Sequence, residues 1–367
     1  MNLRRDVDTT MLLLSVCLIC LGIVMVYSSS AIRADRVYGD GFYFLKRQLA
    51  FAIIGFLAMV FTTYFNYRNW RKLAVFGLIL SVCLLGLLFV PGFGMKSHGA
   101  LRWLRFPGFN LQPAELVKVA LVMYLAHSLT RKKEKVRSFT NGYLPYMIVL
   151  AVLLALLVKQ PDLGSAIIIA SIAMVMLFVA GARWLYLFST VLISLPAVYI
   201  LVYQVEFRRK RILAFLDPWA DRLGDGYQTV QSLMAFGNGG VRGQGLGGGE
   251  QKLFYLPEAH TDFIFSVIGE ELGMIGVIIV ASLFLTLVIC GFRIALQCED
   301  PFGRNLAFGL TMLLGLEAFV NLGVCMGLLP TKGLALPFLS YGGTSLVTSM
   351  AVVGILLNIS SSLGGKR

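Results

Sequence analysis

Apolar runs of about 20 residues recur along the whole chain, and as helices each is long enough to cross the ~30 Å hydrocarbon core of a bilayer. In hydrocarbon every backbone N–H and C=O must find a partner inside the structure, so such runs are helices or closed barrels. Their length and lack of alternation select helices. Ten spans can be counted, at about 9–28, 49–66, 73–91, 113–129, 143–158, 163–180, 185–204, 263–292, 303–327 and 340–360. The pattern predicts an all-α polytopic membrane bundle, a single integral domain over 1–367, with a long outer loop at about 205–262. Charged residues make up 14% of the chain, against roughly a quarter in soluble domains, which leaves no room for a soluble module.

Arg4 and Arg5 followed by Thr9 to Tyr27 resemble a signal peptide, but the run is too long and further spans follow, so it reads as a retained first helix. An even number of spans puts both ends on one side. Lys and Arg are nearly balanced between the two sides, yet seven on the outer side lie in the single long loop, and long loops are weak topology signals. Without that loop the bias places both ends in the cytoplasm. Arg208, Arg209, Lys210 and Arg211 then stand awkwardly on the outer face, close to a helix end. The net charge of +13 suits anionic headgroups. Nucleic-acid binding is disfavoured, because the charges sit in short, separated loops. Five of six cysteines fall in apolar runs and Cys298 in an inner loop, so disulfides are not expected.

Three outer segments are rich in Gly, Pro and aromatics: 92–112, the long loop, and 328–339 followed by SYGGTS. Loops of this kind carry function when a helical scaffold holds them. The chain has only 19 acidic residues, yet four gather in LPEAHTDFIFSVIGEELG at 256–273. Asp262 precedes an apolar run and has two readings, a helix cap or a partly desolvated general base beside Glu258 and His260. Glu270 and Glu271 lie deeper along the same helix, where an ion pair and a substrate contact are equally open. Glu115 and Lys118 share one helix face at i, i+3, with Arg102, Trp103 and Gln112 just upstream, which favours a charged cavity wall over a local ion pair. Lys159 and Lys332 are isolated cations in tight outer turns. Gly243-x-Gly245-x-x-Gly248 matches a dinucleotide fingerprint in letters only, because no strand precedes it. No metal-ligand spacing is present, which leaves open a Mg or Mn ion carried by substrate phosphates.

RWLRFPGFNLQPAELVK, KQPDLGSA, GDGYQTVQSLMAFGNGG, QKLFYLPEAHTDFIFSVIGEELG and LPTKGLALPFLSYGGTSL, in this order, resemble the SEDS family (shape, elongation, division and sporulation) of peptidoglycan glycosyltransferases over nearly the whole chain. The loop wording is closer to division-type than to elongation-type members. The resemblance implies ten helices with cytoplasmic ends, lipid II as substrate, and a class B penicillin-binding protein among other division partners. It implies a place in the bacterial cytoplasmic (inner) membrane at the septum. It also implies that Asp262 is the essential acid and that Glu115 and Lys118 are the polar cavity residues. With these residues, Asp262 is expected to take the proton of an acceptor sugar hydroxyl. Arg102, Lys118, and Lys332 or the Arg208–Arg211 cluster are expected to neutralise the departing diphosphate, and Gln112, Lys159 and His260 to line the substrate path. Two other classes remain: a lipid II flippase or transporter, and a non-catalytic scaffold of the division machinery.

Overall fold

The computed structural model describes residues 7–97, 100–106, 109–252 and 255–364. Arg4 and Arg5, part of the topology signal, lie outside them. The ten predicted spans are all helices: α1 (Thr9–Tyr38), α2 (Tyr43–Tyr64), α3 (Tyr67–Leu87), α4 (Pro113–Lys132), α5 (Leu144–Lys159), α6 (Leu163–Val179) and α7 (Trp184–Tyr203), then α10 (Ile264–Gln297), α11 (Pro301–Cys325) and α12 (Gly343–Gly364). Between α7 and α10 lie α8 (Glu206–Leu216) and α9 (Tyr227–Gly239). Among the described residues, eight helices are long and apolar enough to cross a membrane; α6 is shorter, and α4 carries four charged side chains.

Side chains such as Ile53, Phe56 and Leu57 on α2 and Phe76 and Ile79 on α3 point outward, as lipid-facing residues do. Lipid offers no hydrophobic drive for helices to associate, so small residues and interhelical hydrogen bonds hold the bundle. At the α2–α12 seam, Gly354 packs so closely that a Cβ there would lie 2.3 Å from the Met59 carbonyl oxygen. Asn358 clamps the cytoplasm-proximal end of this seam in the expected topology: its Nδ2 donates to Thr63 O at 2.6 Å and its Oδ1 accepts from Tyr67 N at 2.8 Å. Helix α7 has no buried residue along its length; it packs on α6 and α8, and Tyr143, just before α5, meets its Thr190 at 2.7 Å. The two ends of the described chain meet, with Asp8 N donating to Ser360 Oγ at 3.1 Å.

Two elements depart from the simple loop-and-span expectation. The segment before α4 forms a three-stranded antiparallel sheet, β1 (Gly94–Ser97), β2 (Ala100–Phe106) and β3 (Phe109–Leu111), in the order β1-β2-β3. The segment 205–262 is not a single outer loop. Ser232 on α9 meets Ser266 on α10 at 2.5 Å, and further along Met274 N donates to Gly240 O at 2.9 Å, so α9 descends alongside α10. The chain then turns back. Gln244 N and Gly245 N donate to the carbonyls of Glu270 and Glu271 at 3.0 Å each. This re-entrant hairpin docks where α10 is broken at Gly273, whose φ of 65° suits glycine. A Cβ on Gly243, at φ 80°, would lie 2.2 Å from Glu271 O. The glycine run therefore gives close packing rather than mobility.

Glu270 and Glu271 have structural partners in this hairpin. The Glu270 carboxylate accepts from Glu250 N at 3.0 Å and Gln251 N at 3.2 Å. Glu271 pairs with Lys252 at 2.5 Å and accepts from Ser28 of α1 at 2.7 Å. Backbone with no regular partner is tolerated at this depth only where protein satisfies it. The Glu270 carboxylate performs that role, while that of Glu271 neutralises Lys252.

Candidate active site

Asp262 stands at the mouth of α10, but it does not cap the helix: the cap position is Phe263, with no side-chain hydrogen bond. Its backbone is held from three sides. The Asp262 carbonyl accepts from Asn321 Nδ2 of α11 at 2.9 Å, the Thr261 carbonyl from Ser340 Oγ at 2.6 Å, and the His260 carbonyl from Tyr341 N at 2.9 Å. The preceding turn is tight. Glu258 takes a left-handed φ of 57°, and Thr261 Oγ1 donates to Glu258 Oε2 at 2.9 Å. The carboxyl group of Asp262 is thus aimed by a braced backbone and left uncommitted.

Three segments far apart in sequence bring cations to it. Arg102, on β2, donates through Nη2 to Pro161 O at 2.9 Å and lies 3.9 Å from Asp162. Asp162 caps α6, accepting from Ser165 Oγ at 2.8 Å. Arg211, on α8, donates to Thr331 O at 3.3 Å, and its charge acts on both Asp262 and Arg102. Lys332 is half-buried within the field of Asp162, and burial lowers its pKa. Gly333 sits between the acid and the first arginine: a Cβ there would lie 3.1 Å from Arg102 Nη1 and 3.2 Å from Asp262 Oδ2.

Asp262 is half-buried, reaching the surface at one edge while protein closely surrounds its carboxyl. Burial pushes that carboxyl up to about 7, and the Glu258 charge adds to the rise, while Arg102 and Arg211 oppose it. A carboxylate poised near neutrality beside two guanidinium groups suits a general base whose reaction expels an anion.

The other expected residues fall into two groups. Arg102 and, from the Arg208–Arg211 cluster, Arg211 act on Asp262, while Lys332 lies in the field of the neighbouring Asp162. Arg208 turns back instead, donating to Leu201 O at 2.9 Å, while Arg209 and Lys210 point outward. Gln112 is tied through its N–H to Thr344 Oγ1 at 3.2 Å, which anchors the start of α4 to α12. Lys159 is exposed, with its ammonium 4.9 Å from the Phe89 ring centroid. His260 packs its ring on Phe44 and Tyr341, at 4.7 and 5.7 Å between centroids. Burial pushes its imidazole down to about 4, which makes it a neutral brace of the turn.

Lys118 is 2% exposed and lies between two carboxylates, Glu115 at 2.8 Å and Glu317 of α11. Sequence spacing pairs Glu115 with Lys118 alone; the only signal for Glu317 is that it is an ionisable residue in mid-span. Asn321 lies one turn above Glu317 on α11, roughly 6 Å along the axis. The buried triad thus sits directly beneath the bracket that holds Asp262.

Among the described residues, no three His, Cys, Asp or Glu side chains gather to hold a metal ion. The oxygen donors near Asp262 are engaged otherwise, Asp162 in its cap and Glu258 with Thr261.

One prediction follows from the crowding at Gly333. Gly333→Ala should keep the fold, because the atoms it meets are ends of flexible side chains, but displace the acid and arginine together. Turnover is expected to drop about tenfold or more with little change in melting temperature. Wild-type turnover would show that the two groups need not be held at this spacing.

A family model described as "Cell cycle protein", that of FtsW, RodA and SpoVE, matches residues 8–364. The chain is 57% identical over 358 residues to a probable peptidoglycan glycosyltransferase FtsW of Geobacter metallireducens, covering 98% of this chain and 96% of that one. It is 41% identical over 357 residues to the stage V sporulation protein E of Bacillus subtilis, covering 97% and 98%. Among solved structures, a chain of a peptidoglycan synthase complex described as coordinating polymerization and crosslinking superposes with a TM-score of 0.81 at 30% identity, over 98% of both chains. The rod shape determining protein RodA of Thermus thermophilus superposes at 0.72 with 27% identity, over 97% of both. By sequence and by fold, the chain belongs to the cell cycle protein family of FtsW, RodA and SpoVE.

Proposed function

We propose that this protein is a peptidoglycan glycosyltransferase of the division type, polymerising lipid II at the outer face of the bacterial cytoplasmic membrane, with both ends of the chain in the cytoplasm. The observation that carries the reading is Asp262, a braced, half-buried carboxyl that caps nothing and lies in the field of Arg102 and Arg211. The name of the Geobacter metallireducens relative supports the activity. The synthase complex, described as joining polymerization to crosslinking, supports a class B penicillin-binding protein as partner.

In the proposed reaction the acceptor sugar's 4-hydroxyl gives its proton to Asp262 as its oxygen bonds to the donor's anomeric carbon. The bond from that carbon to the diphosphate breaks, and undecaprenyl diphosphate leaves with the electron pair. Arg102, Arg211 and Lys332 face the charge that develops on the departing oxygens. Attack opposite the leaving group inverts the anomeric carbon, so one base suffices. A Mg or Mn ion, if used, would come with the diphosphate, and no step is assigned to it.

Reconstitution of the purified chain with a cognate transpeptidase and labelled lipid II tests the reading. Glycan strands on a gel are the expected result. Lipid II crossing the bilayer without polymer would instead indicate a transporter, and neither activity a scaffold.

The rate should also follow the ionised fraction of Asp262. With its pKa at about 7, the rate at pH 6 is expected to be about a tenth of the plateau above pH 8. Glu258 raises this pKa, so Glu258→Gln should move the acid limb to lower pH and leave a larger fraction of activity at pH 6. Initial rates across pH 5.5–8.5 check both signs. A profile flat below pH 7 would remove Asp262 as the titrating base.

A further inference from the structure

At the opposite end of α4 from Pro113, a cavity of about 420 Å³ opens between α3, α4 and the short helical turns at 133–143. Its lining includes Tyr124, His127, Arg131, Lys132, Lys135 and Asn141, and no carboxylate among the described residues. The charge of Arg71 also reaches His127. The volume is within the ~300–1,000 Å³ of small-molecule sites. We propose that this cavity binds the phosphate headgroup of an anionic phospholipid in the leaflet opposite the carboxylate site.

The cations are arranged rather than merely clustered. Lys132 donates to Asn141 O at 3.0 Å and stands 4.9 Å from the Tyr146 ring centroid, which fixes its ammonium at the cavity wall. Nδ1 of His127 is enclosed with no hydrogen-bond partner among the described residues, so a buried polar atom is left for a ligand to satisfy. A second cavity at this end, of about 690 Å³, also holds arginines, but there Arg293 pairs with Asp8 and Asp300 lies in the same lining. Its charges are matched internally, whereas among the described residues the smaller cavity holds no acid.

A lipid headgroup fits better than a soluble phosphate because of where the cavity opens. Helix α4 is 20 residues, about 30 Å, which spans the hydrocarbon and sets the cavity at headgroup level. Val75 lines it and is itself exposed, next to the exposed Phe76 on the outer face of α3, so acyl chains have an apolar surface to follow. Basic pockets between membrane helices on this side recognise phosphorylated headgroups.

The test uses the full chain, delipidated in neutral detergent, titrated with fluorescent phosphatidylglycerol or phosphatidylcholine. Phosphatidylglycerol should bind saturably and phosphatidylcholine should not. Arg131→Gln with Lys135→Gln should weaken binding about 25-fold, at about fivefold per charge. Arg183→Gln with Arg304→Gln, which removes two exposed charges elsewhere, should weaken it less than twofold. Equal losses in the two double variants would mean general surface attraction and overturn the proposal. So would equal binding of the two lipids, or displacement of phosphatidylglycerol from wild-type protein by millimolar inorganic phosphate. The last two arms need no variant.

Discussion

Asp262→Asn is expected to fold and to polymerise lipid II about 10²–10⁴-fold more slowly than the wild type, the range a positioned general base supplies. The substitution keeps the side chain's shape and leaves the bracket intact, because Asn321 grips the residue's carbonyl and not its carboxyl. It should also stabilise the protein in a pH-dependent way. The folded-state pKa of about 7 lies above the ordinary carboxyl value of 3.8, so ionisation disfavours the folded state. That penalty grows from about pH 4 to about 7 and is complete above it. The variant should therefore match the wild type near pH 4 and melt higher at pH 8. Full polymerisation by a well-folded Asn variant would move the chemistry to another residue.

Lys118→Met should act differently, by unfolding. It leaves the carboxylates of Glu115 and Glu317 facing each other in a site that is almost wholly buried. Removing one partner from a buried ionic group typically costs about 3–5 kcal/mol. Loss of activity is expected together with a large fall in melting temperature in detergent. Neutralising the acids as well, in Lys118→Met/Glu115→Gln/Glu317→Gln, should restore much of the stability. Activity that returns with stability would make the triad purely structural. A stable but inactive triple variant would give Lys118 a part in the reaction.

The ten helices were legible because membrane insertion is decided by the average over about 20 residues, which composition reports directly. Asp262 was legible because so few acids are present, and four fall in one stretch. Other features depend on pairings across the sequence. Glu317 is a lone acid in an otherwise apolar helix, and only the approach of α4 to α11 reveals Lys118 beside it. His260 reads as chemistry from its neighbours in the chain, whereas its ring faces Phe44, more than 200 residues away. The glycine run at 236–250 reads equally as a mobile loop or a closely packed one. Nothing local says that its backbone will lie against α10, because glycine suits both exposure and close approach. Of the four residues 208–211, helical spacing alone sends Arg208 and Arg211 inward and the middle two outward.

The hairpin formed by α9 and its irregular return imposes a sequence of events during biogenesis. A bare strand of peptide groups is not soluble in the bilayer interior, so residues 240–252 have nowhere to go as they leave the ribosome. Several of their hydrogen-bonding groups find partners on Glu270, Glu271 and the broken turn at Gly273, which are made later. The segment must wait outside until α10 has been threaded, and then slide in beside it. The groove that it fills can therefore close only after α10 is in place, and the loop carrying Asp262 waits longer still, because Asn321 and Ser340, which grip its carbonyls, are made after α10.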